Sequence, residues 1–258
     1  MIKFFRKIRY SLMSENKTGR YFKYAIGEII LVVIGILIAV QINVWYGNKQ
    51  LEEGNKILLN KMLTELELNK ARMHKIANVG VTRWPSLKEA YKNCDSLLRI
   101  SYRGLKTSDL DFIVNGRFSA GGSYLNIHNS IYEELINTGK LYTLGSDTLI
   151  TAIKDYYKRC EREDLYNKFN TEDANKGYDL MEKGLLKLEL DYHMDSTKFS
   201  LDNYPWYFNP SSEDYQNMQI GISKISGGQR SNYIKMNQIK QYTDTLISVI
   251  NKELKQSQ

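Results

Sequence analysis

Three histidines, two cysteines and a scatter of carboxylates are the side chains of this sequence that catalysis would have to use. A zinc protease site needs two imidazoles one helical turn apart, and His74, His128 and His193 are each isolated in the chain. They read as surface or satisfied structural side chains. Lys140 follows Gly139, but Glu134 stands where a phosphate-binding loop requires glycine, and no Ser or Thr follows the lysine. Gly121, Gly122 and Ser123 lack the second flanking glycine of a nucleophile elbow, since Leu125 occupies its place. Asp109, Asp111 and Asn115 have the wrong spacing for a calcium loop. No metal site and no cofactor are expected. An enzyme would have to assemble its site from scattered residues such as His128, Glu133 and Asp155, so the expectation is that the protein is not an enzyme.

The polar groups of greater interest lie inside an apolar stretch. Tyr24 to Trp45 reads YAIGEIILVVIGILIAVQINVW, and as a helix rising ~1.5 Å per residue it covers about 30 Å, the thickness of a bilayer's hydrocarbon core. No charge interrupts Ile29 to Tyr46, and its Ile, Leu and Val residues outweigh Glu28, Gln41 and Asn43 near the ends of the stretch. A carboxylate in a spanning helix marks a partner, a proton path or a bundle interior, unless it snorkels to a nearby surface. Glu28, close to Lys23 and the cytoplasmic end, fits either reading. Gly35 and Ala39 form a small-x-x-x-small face that, with Gln41 and Asn43, could receive another transmembrane helix.

Lys3, Arg6, Lys7, Arg9, Lys17, Arg20 and Lys23 precede the span and place the amino terminus in the cytoplasm. With only Glu15 and Glu28 against them, they account for most of the net charge of +7, which removes the main support for nucleic-acid binding. Hydrophobic content of 42% and charged content of 25% are those of a globular protein, so the membrane assignment rests on this one segment. Its apolar core exceeds a signal peptide's, and Val40, Gln41 and Ile42 after Ala39 offer no cleavage pattern. An uncleaved signal anchor follows, with the rest of the chain outside the cytoplasm. Cys94 and Cys160 would then lie where a disulfide can form, worth about 4 kcal/mol in the chain-entropy account. Two buried free thiols are the alternative.

A second cluster is the aromatic run Tyr204, Trp206, Tyr207 and Phe208. Beside Asp202, Asn203 and Asn209 it would suit a sugar or ring-bearing ligand, or it folds back to plug the end of a helical bundle.

The string GEIILVVIGILIAVQINVW, preceded by the basic SENKTGRYFKYAI, resembles the anchor of an uncharacterised family of small single-span bacterial membrane proteins, a domain of unknown function. Gly27, Glu28, Ile29, Gln41, Ile42, Asn43 and Trp45 carry the match. Ser130 to Leu141 with Tyr156 and Tyr157 is similar to a later family segment. The resemblance implies a single-pass protein of the inner membrane with a periplasmic domain, and implies no activity or site residue.

These groups must be positioned by helices. Residues 1–13 alternate apolar and basic faces in the manner of an amphipathic helix on the anionic leaflet, and Ser14 to Gly19 forms a turn. Leu51, Leu58, Met62, Leu66, Met73 and Ile76 continue a helical stripe beyond the span to about residue 78. After a break at Thr82 to Pro85, Ser86 and Glu89 form a capping box for a helix through Arg103, ended by Gly104. Ser108 and Asp111 suggest a short helix, and Gly116 to Gly122 a loop. Tyr124 to Asn137 reads as helix, stopped by Gly139. Ser146 caps a helical period that runs to about residue 193, bent or divided at Asn175 to Gly177. Ser196 to Pro210 is a loop, and two last helices fit Ser212 to Ile225 and Ser231 to Leu254, split at Gly227 and Gly228. The expected fold class is all-α: an N-terminal transmembrane helix continuing into an extracytoplasmic antiparallel helical bundle. The segments are a cytoplasmic tail over 1–23, a span over 24–46 and a helical domain over 47–258. The expected role is a membrane-anchored interaction or sensory module that meets membrane lipid and a membrane protein partner, with a structural homo-oligomer as the alternative.

Overall fold

The computed structural model describes residues 10, 18–120 and 125–256, and among them the chain forms seven α-helices and no strand. The amphipathic stretch expected over 1–13 lies, except for Tyr10, outside the described residues. Thr18 and Gly19, expected in a turn, already belong to the first helix, α1 (Thr18–His74). A π-helical turn, Lys75–Val79, carries this helix to the point where the apolar stripe of the sequence ends. Two compact units follow from the packing, Met1–Ile57 and Leu58–Gln258.

In the first unit the apolar residues of the helix are exposed from Ile29 to Trp45. An 18-residue window in this region has a mean hydropathy of 2.6 and none of it is buried. The helix is thus long and apolar enough to cross a membrane.

The second unit holds the core. Its helices are α2 (Leu87–Arg103), α3 (Leu110–Val114), α4 (Ser130–Asn137), α5 (Asp147–Met181), α6 (Leu185–Met194) and α7 (Glu213–Gln256). The predicted caps form: Ser86 Oγ accepts from the Glu89 amide and Ser146 Oγ from the Leu149 amide. Gly139, at φ +71°, ends the turn after α4 in the left-handed conformation that a side chain would resist.

Helices α5 and α7 run antiparallel along one another, so that Tyr156 meets Thr243, Glu163 meets Lys235, Asn170 meets Asn232 and Gly177 meets Gly221. The two helices thread two hydrophobic clusters. One gathers Met62 and Leu66 of α1 with Leu149, Ile153, Ile239 and Leu246. The other gathers Cys94, Ile113, Leu188, Tyr207, Tyr215 and Ile222. Buried polar side chains, Asn167, Gln229 and Asn232, occupy the middle turns of α5 and α7. Gln229 Nε2 donates to the Phe118 carbonyl at 2.6 Å while its Oε1 accepts from the Ala120 amide at 3.1 Å. Asn167 Oδ1 accepts from the Leu125 amide, and Asn69 of α1 pairs both ways with the His128 backbone. Side-chain amides thus satisfy the backbone of the loop leading to α4, which a helical ladder would otherwise have to do.

That explains one correction. Helix α4 begins at Ser130 rather than at residue 124, because the backbone of 125–129 is bonded to Asn167 and Asn69 and because Glu65 accepts from Ser130 Oγ and the Ile131 amide at the helix start. Residue 124 itself lies outside the described residues.

The glycines supply another. Neither Asn175 to Gly177 nor Gly227 and Gly228 divides a helix: α5 runs on to Met181 and α7 is continuous over 44 residues. A Cβ on Gly177 would lie 2.5 Å from the Gly221 carbonyl oxygen, and one on Gly221 2.5 Å from that of Gly177. A Cβ on Gly228 would lie 2.5 Å from the Asn170 carbonyl oxygen. These glycines let two backbones touch. The helical period divides instead at the turn after Met181, before α6.

Candidate functional site

A cleft of about 230 Å³ lies in the second unit. Its chemistry is legible element by element. Between α1 and α2 the chain turns tightly, with Val81 and Trp84 exchanging backbone hydrogen bonds at 2.8 and 3.0 Å, and this turn brings Arg83, Trp84 and Pro85 to the cleft. Gly80, at φ +76°, makes the turn possible; a Cβ there would lie 2.5 Å from the Ser86 amide nitrogen. Arg117 holds the turn in place by donating to the Val81 and Thr82 carbonyls at 3.1 and 3.4 Å, and it also reaches the Glu89 carboxylate at 3.5 Å.

Phe118 forms part of the wall next to Arg117. Its ring lies so close to Gly116 that a Cβ on Gly116 would sit 2.1 Å from it. The end of α5 supplies Tyr178 and Met181, α6 supplies Leu185, Leu186 and Glu189, and α7 contributes Ile222 and Ile225. The lining is mostly apolar with a few convergent polar groups, the composition of small-molecule sites.

Two of those polar groups are shifted by their surroundings. Burial pushes the Glu189 carboxyl up to about 8, with no compensating cause. Among the described residues the group has neither a hydrogen bond nor an ion pair, and neither Arg83 nor Arg117, which line the same cleft, holds it ionised. Burial likewise pushes the Tyr178 phenol up to about 12, the neighbouring Ser119 hydroxyl opposing it. A cleft that gathers a desolvated carboxyl, a phenol and aromatic walls is a functional-site candidate on physical grounds. It offers a neutral acid that can donate a hydrogen bond, or release its proton to solvent as a cationic guest settles beside the carboxylate.

The groups that stood out in the sequence are placed elsewhere. Gly35, Ala39, Gln41 and Asn43 are exposed on α1, with open space around Gly35, and Glu28 is half-buried on the same helix. Of the aromatic run, Trp206 and Tyr207 are buried in the second cluster and Tyr207 donates to the Lys106 carbonyl at 3.0 Å. Tyr204 stacks on Phe199 and donates to Asp191, while Phe208 is half exposed. The run folds back onto the second cluster around a short 3-10 turn, Pro205–Phe208. The possible disulfide is not present: Cys94 and Cys160 are free thiols, buried in different clusters, and the Cys94 thiol donates to the Phe118 carbonyl.

His128 and Glu133 are exposed and serve locally, the first through its backbone to Asn69 and the second by accepting from Asn129. Asp155 is exposed on α5 and bonds to neither. His193 donates from Nε2 to the Val114 carbonyl at 2.8 Å. Glu65, a buried carboxylate near α4, has structural work: besides its contacts at Ser130 and Ile131 it accepts from the Tyr157 hydroxyl at 3.2 Å. No group of three His, Cys, Asp or Glu side chains suited to a metal occurs among the described residues.

A family of unknown function, DUF6090, matches residues 28–199. The chain belongs to that family. The DUF6090 match starts at Glu28 in the apolar stretch and includes Arg83, Arg117, Ser119, Tyr178 and Glu189 of the cleft lining. It ends before the aromatic run and α7. Among curated proteins and among solved structures, none matches the chain.

Glu189 was the residue that sequence reading passed over, although it left a trace. It stands four residues after Leu185 and three after Leu186, so in a helix it shares the apolar face of LLKLELDYHM. A lone acid on such a face is the available sign of a desolvated carboxyl.

Proposed function

We propose that this protein is a single-span membrane protein whose helical domain lies outside the cytoplasm and receives a small ligand in the cleft at Glu189, acting as a sensory or ligand-dependent interaction module. The observation that carries the reading is a cleft lined by apolar and aromatic side chains into which Glu189 brings a carboxyl that has neither a hydrogen bond nor an ion pair among the described residues, the arrangement of a small-molecule site. The exposed apolar helix supports the anchor, and the basic residues before it support a cytoplasmic amino terminus. In this reading a signal passes to another membrane protein through α1, where Glu28, Gly35, Ala39, Gln41 and Asn43 offer polar and small contacts.

The test is photocross-linking in native membranes. A photoreactive residue replacing Leu186 should capture one recurrent small molecule or peptide, while the same group at exposed Tyr102 should not. Equal adducts at both positions, or lipid alone at both, would count against a ligand site in the cleft.

A further inference from the structure

We propose that the cleft binds a ligand carrying an ammonium group on a small apolar body, with Glu189 as the counter-ion. The inference rests on reading the cleft as a ligand site, and it names the ligand's chemistry.

Three features point to a cation with an apolar body. Glu189 has no partner among the described residues, so a guest cation would find an unused carboxylate. Trp84, Phe118 and Tyr178 bring aromatic rings to the same cleft, and ring faces attract ammonium groups. The remaining surface is supplied by Met181, Leu185 and Ile222 and their neighbours, which suits an alkyl or aryl body. At about 230 Å³ the space is below that of a drug-sized site, which limits the guest to a small molecule.

The cations already present do not take the place of the ligand. Arg117 is engaged by Glu89 and by the Val81 and Thr82 carbonyls. Arg83 lies over the Trp84 ring with its guanidinium carbon 5.5 Å from the ring centre. Arg83 does offer a second contact, for a carboxylate. An arylalkylamine and an apolar amino acid therefore share the ammonium chemistry and differ at that point.

Binding is a proton exchange. The free carboxylic acid releases its proton to solvent as the ammonium group, which keeps all of its own protons, takes its place beside the carboxylate. The other titratable or charged groups facing the cleft are Arg83 from the turn after α1, Arg117 from the loop after α3 and Tyr178 from α5; α7 contributes only Ile222 and Ile225. The Tyr178 phenol, pushed up to about 12 by burial, stays protonated between pH 5 and 9. Glu189 alone then sets the pH response. Affinity should rise about tenfold per pH unit at low pH and level off near 8, where the carboxyl ionises without help.

The experiment is calorimetry on the full-length protein in detergent micelles with 2-phenylethylamine, phenylalanine and 2-phenylethanol, in two buffers of different ionisation heat. The amine should bind with release of close to one proton at pH 7, and Glu189→Gln should weaken it about 10- to 100-fold. Tighter binding of phenylalanine, lost in Arg83→Met, would assign the amino acid class; tighter binding of the amine would assign the simple amine. Both support the proposal. Binding of 2-phenylethanol as tight as that of the amine, or an unchanged Glu189→Gln, would overturn the ammonium assignment while leaving a ligand cleft. Failure of all three probes with the wild type would overturn the assignment and the ligand cleft together. Thermal melting of Glu189→Gln guards against a folding artefact, since an isosteric amide in place of an unpartnered acid should leave the protein at least as stable.

Discussion

Replacing Glu189 with glutamine should stabilise the protein in alkaline solution and do little in acid. Burial holds the folded carboxyl up at about 8 against an ordinary value of 4.5, which the unfolded chain recovers. Between those two values the folded state carries a proton that the unfolded state has lost, so stability declines as pH rises through this window and the loss is complete above about 8. At ~1.4 kcal/mol per unit the full linkage is about 5 kcal/mol. The cleft opens to solvent, and water that enters on ionisation offsets roughly half of that cost, leaving about 2–3 kcal/mol. Glutamine has nearly the same shape and no charge to bury. In a domain of this size ~1 kcal/mol moves the melting midpoint by about 2–4 °C, so Glu189→Gln should melt about 5–10 °C above wild type at pH 9 and within about 2 °C at pH 5. Circular dichroism melts of the two full-length proteins in the same micelles measure this, and the difference between them cancels every other titrating group. A difference that does not change with pH would refute the reasoning, as would a variant less stable than wild type at pH 9. Either result would mean that the carboxylate has a partner that keeps it ionised.

Other substitutions test the packing and the anchor. Gly221→Ala, which puts a methyl 2.5 Å from the Gly177 carbonyl oxygen, should cost about 1–3 kcal/mol in denaturant unfolding, whereas Gly227→Ala, with open space around it, should be neutral or stabilise by up to about 1 kcal/mol. Equal effects at the two positions would show that the close approach does not limit the crossing. Gln229→Leu leaves the Phe118 carbonyl and Ala120 amide without their side-chain partner, which should cost about 1–3 kcal/mol and speed hydrogen exchange at residues 117–120. Unchanged exchange there would show that the loop does not depend on the amide. A cysteine at Gly35 should form disulfide-linked dimers in membranes if the small-residue face pairs two copies of the helix, and should stay monomeric if that face meets a different partner or lipid.

Helix ends and the long apolar helix were legible in the sequence because their causes are local. Ser86 and Ser146 cap helices through hydroxyls three residues from their targets, and Gly139 stops one by its own backbone freedom. The apolar run after Glu28 announces a possible span by length and composition alone. The glycines at 177 and 221 carry the same letters as helix breakers, and only the pairing of α5 with α7, remote in sequence, makes them contact points. The segment before α4 looked helical because its backbone bonds to Asn69, Asn167 and Glu65 are made to residues about 42 to 66 positions away. The aromatic run likewise folded back when Tyr207 met Lys106 across the fold. Glu189 lay on the apolar face of its own helix, which the sequence displayed, but its desolvation depends on walls brought from the turn at 83–85, the loop at 116–119 and the helices on either side. Propensity and capping act within one turn of the chain, whereas burial and close approach are properties of the packed helices; the cleft therefore exists only in the tertiary structure.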